Sequence, residues 1–181
     1  TASSTNTVNT VSLRDDTDLV LGTLTADTSV TLQTDGTVTQ TGALTGAPSV
    51  VLTSTTAGVA NFTLTNAGND LGAVSTTNTV NTVSLRDDAG FTLGAVTTDT
   101  SVTLQTDGAI TQTGVLTAPV LTLTATTAGS GDFTLDTQAN VIGTASTTNT
   151  VNTVSLRDDA GLVLGTLAAD TSVTVQTDGT V

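Results

Sequence analysis

Apolar and polar residues alternate in short runs along this chain. Between residues 78 and 148 the runs are 81–85, 91–96, 101–106, 109–113, 120–124, 132–135 and 140–145. All are short, and alternation with a period of two marks a strand with one dry face. The dry set predicted from these runs is Val83, Leu85, Phe91, Leu93, Val96, Val102, Leu104, Ile110, Leu121, Leu123, Phe133, Leu135 and Ile142, with Thr filling most of the wet positions. Turn residues separate the runs at 87–90, 106–108, 117–119 and 128–132. No stretch carries the 3.6-residue spacing of an amphipathic helix.

The pattern then repeats. Asn-Thr-Val-Asn-Thr-Val-Ser-Leu-Arg-Asp-Asp occurs letter for letter at 6–16, 78–88 and 149–159. This divides the chain into a short tail (1–5), a first repeat (6–77), a second (78–148) and a partial third (149–181), read as one continuous solenoid. The first repeat exceeds the second by a single insertion near Gly46. Residues 1–5 resemble the end of a repeat and 177–181 match 34–38, so both ends read as cut in mid-pattern, a window on a longer polypeptide. Arrays of this kind form solenoids, propellers or strings of domains, and serve more often as scaffolds and binding surfaces than as enzymes.

Short strands at this spacing fit an antiparallel sandwich or a parallel β-helix. The apolar residues are nearly all Val, Leu and Ile, with three Phe and neither Trp nor Tyr. A two-sheet core of this size calls for larger aromatics, whereas a β-helix stacks like aliphatics turn upon turn. The expected fold is therefore all-β, a parallel β-helix with about three coils per repeat. That places about seven to eight coils in about 35 Å, with the Arg-Asp-Asp turns returning to one side about every 14 Å.

Composition narrows the function. Thr supplies 48 of 181 residues, and Thr and Val favour strands. All 16 acidic residues are Asp, against three Arg, for a net charge of −13. Such a surface does not suit nucleic acid, which needs basic contacts, or an anionic membrane surface. No apolar run is long enough to span a bilayer as a helix. The absence of Cys excludes disulfides and thiol chemistry. His, Lys, Tyr and Glu are absent too. With most Asp environments copied from repeat to repeat, the unique cleft that a polysaccharide lyase or hydrolase needs is not foreseen, and the expectation is a non-catalytic protein.

The segments at 36–45 (Gly-Thr-Val-Thr-Gln-Thr-Gly-Ala-Leu-Thr), 108–117 (Gly-Ala-Ile-Thr-Gln-Thr-Gly-Val-Leu-Thr), 61–74 and 91–96 (Phe-Thr-Leu-Gly-Ala-Val) resemble the repeats of giant bacterial exoproteins of the filamentous-haemagglutinin type, secreted by the two-partner or autotransporter routes. The resemblance implies a right-handed β-helix, an extracellular or cell-surface location, and a structural or adhesive role in contacts between cells or in biofilm. The expected partners are further copies, end to end or side by side in fibres, and glycans or the surfaces of host or neighbouring cells.

Four features carry candidate chemistry. The first is the Arg-Asp-Asp turn: Arg14 with Asp15 and Asp16, Arg86 with Asp87 and Asp88, Arg157 with Asp158 and Asp159. Paired carboxylates are candidate Ca²⁺ ligands, but the adjacent Arg opposes a cation and the loop pattern of known Ca²⁺ repeats is missing. The alternative is a solvated turn in which Arg pairs with Asp of its own or the next coil. The second is the Asp-Gly pair at 35–36, 107–108 and 178–179, read as a tight turn with positive φ at Gly. The third is the Asn set 6, 9, 78, 81, 149 and 152, read either as amide ladders or as turn residues, while rows of outward Thr suggest a face for glycan or ice.

Overall fold

The computed structural model describes all residues from Thr1 to Val181, and every regular element in it is a strand. The strands are β1 (Val8–Asp15), β2 (Leu19–Leu21), β3 (Leu24–Thr34), β4 (Thr37–Gln40), β5 (Leu44–Thr45), β6 (Ala47–Ser54), β7 (Asn61–Leu64), β8 (Leu71–Thr76) and β9 (Val80–Arg86). They continue with β10 (Gly90–Leu93), β11 (Val96–Gln105), β12 (Ala109–Gln112), β13 (Leu116–Thr124), β14 (Ser130–Thr147), β15 (Val151–Asp158), β16 (Val163–Leu164) and β17 (Ala169–Thr177). Every pairing is parallel, so the chain winds as a β-solenoid of about nine turns.

Two broad faces run the length of the solenoid. One stacks β1, β3, β6, β8, β10, β12, the first half of β14, β15 and β17. The other stacks β2, β4, β7, β9, β11, β13, the second half of β14 and β16. Long strands such as β3, β11 and β13 bend at an edge. Their outward corner residues include Asp27, Asp99 and Pro119, and Pro is tolerated where no ladder donor is needed.

The core lies between the faces as vertical columns. Phe62, Val83, Val102, Leu121 and Ala145 stack on one face, with Leu64, Leu85, Leu104 and Leu123 alongside. Phe91, Ile110, Phe133, Val154 and Val173 stack on the other. Every residue of the predicted dry set is buried. All-β architecture and a parallel solenoid are as expected. What differs is the winding.

Partners along the first face run Val11 to Val30, Val30 to Val50 and Val50 to Val74. The first two steps are shorter than a coil of one-third of a repeat would be, and only the last reaches that length. A repeat accordingly takes three and a half turns rather than three. The half turn shows directly in the registers. Val11 and Val154, at the same place in the first and third repeats, lie on one face, while Val83, their counterpart in the second, lies on the other. Successive repeats are therefore related by half a rotation about the solenoid axis and a rise of about 17 Å at the usual strand spacing. The Arg-Asp-Asp turns do not return to one side at each repeat. They alternate between edges and return to the same edge after two repeats, about 34 Å along the axis.

The Asp-Gly turns also differ from expectation. Positive φ occurs at Gly46, Gly58, Gly90, Gly129 and Gly131, and not at Gly36, Gly108 or Gly179. Gly36 and Gly108 are required for another reason: a Cβ there would collide with backbone of the preceding turn, at Thr17 and Ala89 respectively. Gly108→Ala should accordingly unfold the turn locally and lower stability more than Thr103→Ala on the open face, which should stay within about 0.5 kcal/mol of the parent. Leu104→Ala, in the middle of a sealed column, should cost about 2–5 kcal/mol in equilibrium denaturation.

Candidate interaction edges and the buried polar layer

In each Arg-Asp-Asp turn the strand ends on or beside Arg, whose side chain points outward and folds over the turn. Arg14 Nε lies 3.1 Å from Asp16, Arg86 Nη2 lies 2.8 Å from Asp88, and Arg157 Nε lies 2.9 Å from Asp159. The second Asp is thus occupied by the Arg two positions earlier, and the Arg86 guanidinium holds the Asp88 carboxyl below the ordinary range. Such part-exposed pairs contribute about 0–1 kcal/mol each.

The first Asp turns the other way. Asp87 and Asp158 are fully buried, while Asp15 is half-buried. Asp87 accepts from Leu71 N at 2.5 Å and Ala89 N at 2.9 Å. Asp158 accepts from Ile142 N at 2.6 Å, Ala160 N at 3.0 Å and Gly161 N at 2.7 Å. Asp15 accepts from Thr17 N and its hydroxyl, and the Thr17 N–H holds its carboxyl below the ordinary range. The two carboxylates of a turn therefore face apart, one to Arg and one to backbone N–H groups, and nowhere do three acidic side chains gather. The turns supply clamps within and between coils, and the geometry does not assemble the Ca²⁺ ligand sets that the paired Asp residues raised.

The Asp-Gly turns clamp as well. Asp35 accepts from Thr56 N at 2.6 Å and its hydroxyl at 2.9 Å. Asp107 accepts from Thr127 N and hydroxyl, both at 2.8 Å, and from Ser130 at 2.6 Å. The Thr56 N–H lowers the Asp35 pKa. Around Asp107 burial opposes ionisation, but the hydrogen bonds from Ser130 and Thr127 prevail and lower it.

The Asn residues form mixed ladders, not stacks of like amides. Asn81 donates to Asn61 at 2.9 Å and accepts from Thr100 at 2.6 Å, and Asn152 stands in the same relation to Asp132 and Thr171. Asn9 accepts from Thr28. Asn78 and Asn149 cap the carbonyls of Ser54 and Ala125.

Sequence reasoning missed a polar layer inside the core. Asn140 donates to Gln112 Oε1, Leu135 O and Arg157 O at 3.2, 2.9 and 3.0 Å. Its carbonyl oxygen accepts from Gln112 Nε2 and Leu116 N. Asn69 repeats the set with Gln40, Leu64 O, Arg86 O and Leu44 N. Each layer ties three successive turns, and the first Asp of the next repeat closes it. The available signal was that Gln40 and Asn69 recur as Gln112 and Asn140 although the residues after the Asn change from Asp-Leu to Val-Ile.

The outer faces differ from each other. Thr63, Ser84, Thr103, Thr122 and Ser146 form an unbroken row on the second face. The matching row of the first face, Ser12, Thr31, Val51 and Ser75, is interrupted by Val51. One shallow notch of about 230 Å³ lies on an edge, lined by Gly46, Ala47, Pro48, Asp70 and Gly72.

Burial raises the Asp87 pKa, despite N–H donors from Leu71 and Ala89. A raised folded-state pKa means that the ionised form opposes folding, so this contribution to stability improves as pH falls from neutral through that value. Asp15, Asp35, Asp88 and Asp107 are lowered, so their contribution is lost as pH falls through values below the ordinary carboxylate pKa. The melting temperature should hence peak on the acid side of neutral. Asp87→Asn should flatten the rise between neutral pH and about pH 4 relative to the parent. Parallel curves for the two proteins would refute the role given to Asp87.

No curated protein and no solved structure matches the chain. Family matches cover residues 8–78 and 80–149, nearly the two full repeats. With its continuous parallel ladder, copied edge clamps and recurrent polar layers, the chain belongs to DUF5649, a family described as repeats of unknown function.

Proposed function

We propose that this chain is a length of shaft: a non-catalytic spacer of a large secreted bacterial surface protein or extracellular filament, of the filamentous-haemagglutinin kind. The observation that carries this reading is the uninterrupted solenoid. Parallel ladders run through about nine turns over an aliphatic core, and the surface is copied from repeat to repeat. A repeated surface makes a lattice, whereas catalysis needs one site with acid, base and substrate clamps. The edge notch contains a single carboxylate, Asp70, and no basic or nucleophilic partner. In such an array each turn is stabilised by its neighbours, so stability grows with repeat number. The clamps of Asp35 and Asp107 cover turn edges that would otherwise expose hydrogen-bonding groups.

The expected outcome in the source cells is immunogold labelling at the surface or on extracellular fibres, with rods in negative stain. Variants lengthened by whole repeats should grow by about 17 Å per repeat. Labelling confined to the cell interior would overturn the location, and compact particles that do not lengthen would overturn the shaft.

The hydroxyl row from Thr63 to Ser146 favours a second reading, a repetitive surface for neutral glycan. None of these five side chains bonds within the protein, whereas flanking hydroxyls do, such as Thr82 to Asn61 and Thr124 with Thr148. Thr103→Val with Thr122→Val should abolish glycan-array binding and leave the melting temperature nearly unchanged. Equal binding by parent and variant would remove this reading.

A further inference from the structure

We infer that the two inward-facing polar layers, Gln40–Asn69–Asp87 (Gln40 half-buried, the others buried) and Gln112–Asn140–Asp158 (all buried), are the residues that specify how the turns stack. This inference rests on the fold and holds wherever the protein resides. It starts from a deficiency of the core. A slip of one residue would expose a strand's apolar set, so the core forbids it. A slip of two residues keeps the same side chains inside. In the native register Phe133 faces Val154 and Leu135 faces Leu156. Shifted by two, Leu135 faces Val154 and that pair stays apolar, with only Phe133 moved opposite a polar residue, Asn152. The rest of the core has the same weakness, because Val and Leu recur at the same positions in turn after turn. Near-identical repeats widen the choice of wrong partners.

The polar layer breaks this degeneracy. Asn140 donates to Arg157 O at 3.0 Å and Leu135 O at 2.9 Å, while accepting from Leu116 N. Asp158 receives Ile142 N at 2.6 Å. One register satisfies all of these groups together. A slip of two residues moves Arg157 O and Asp158 along the strand and leaves a buried carboxylate, an amide and several backbone groups without partners, which is costly in a dry interior. Single buried polar groups fix register in other repetitive assemblies by the same logic. One layer recurs in each full repeat, with Asn69 and Asn140 bonding to the carbonyls of Arg86 and Arg157 in the repeat that follows. It therefore resets the register before an error can pass into that repeat.

The test uses cysteine pairs across β14 and β15 in the full chain. Thr134 and Ser155 are register partners, whereas Thr134 and Thr153 come opposite each other only after a two-residue slip. Residues directly opposite on neighbouring strands are within disulfide reach, and those offset by two are beyond it. In the parent, Thr134→Cys with Ser155→Cys should form a disulfide under mild oxidation, and Thr134→Cys with Thr153→Cys should not. With the layer made apolar by Gln112→Leu, Asn140→Leu and Asp158→Leu, the chain should keep its β-sheet circular dichroism and both pairs should form. The same experiment at the other layer (Gln40→Leu, Asn69→Leu, Asp87→Leu) uses Thr63 with Ser84 against Thr63 with Thr82. Exclusive native pairing in both apolar-layer variants would overturn the inference. Loss of the β-sheet signal would also overturn it, because the layer would then supply stability and not choice of register.

Discussion

In a parallel ladder every residue has one neighbour directly above and one directly below, about 4.8 Å away. Each column must therefore tolerate being stacked upon itself. This constraint explains the composition. Aliphatic columns gain from repetition, and Thr columns tolerate it, which accounts for an interior of Val and Leu beneath an exterior of Thr. Carboxylates do not tolerate it. They appear instead at the edges, where those of the Arg-Asp-Asp and Asp-Gly turns are engaged by an Arg of their own or an adjacent turn or by N–H and hydroxyl donors of the same or an adjacent turn.

The half turn in each repeat serves the same constraint. With three whole turns per repeat, every Arg-Asp-Asp turn would sit above the previous one on a single edge. With three and a half, consecutive turns occupy opposite edges and the spacing along either edge rises from about 14 Å to about 34 Å. A chain with a net charge of −13 and only three cations thereby spreads its most concentrated acidic segments without disturbing the core, because both faces accept the same Val-x-Leu strands.

Much of the fold was legible in the sequence because the strand period is short and locally written. Val102, Leu104, Ile110 and Leu121 announce their burial by their alternation with polar neighbours, and the prediction of the dry set follows from that alone. The winding number was not legible. The same repeat divides as readily into three long turns as into three and a half shorter ones, and the choice depends on how much chain each edge absorbs. Between Val50 and Val74 the edges absorb more than between Val11 and Val30. The Arg–Asp pairing could be foreseen from adjacency, whereas the inward turn of Asp87 and Asp158 could not. Asn69 and Asn140 are polar residues beside turns and read as surface. Their burial follows from carbonyls and N–H groups supplied by two other turns, which are brought together only once the solenoid has closed.

The half rotation gives the repeat count a meaning beyond length. A solenoid built from an even number of such repeats carries its far end in the same azimuthal orientation as its base, and one more repeat turns that end to the opposite side. Any head attached to it would face forward or backward according to whether the count is even or odd. Gain or loss of a single repeat by recombination between the near-identical segments would then reverse the aim of the tip while changing the reach only slightly.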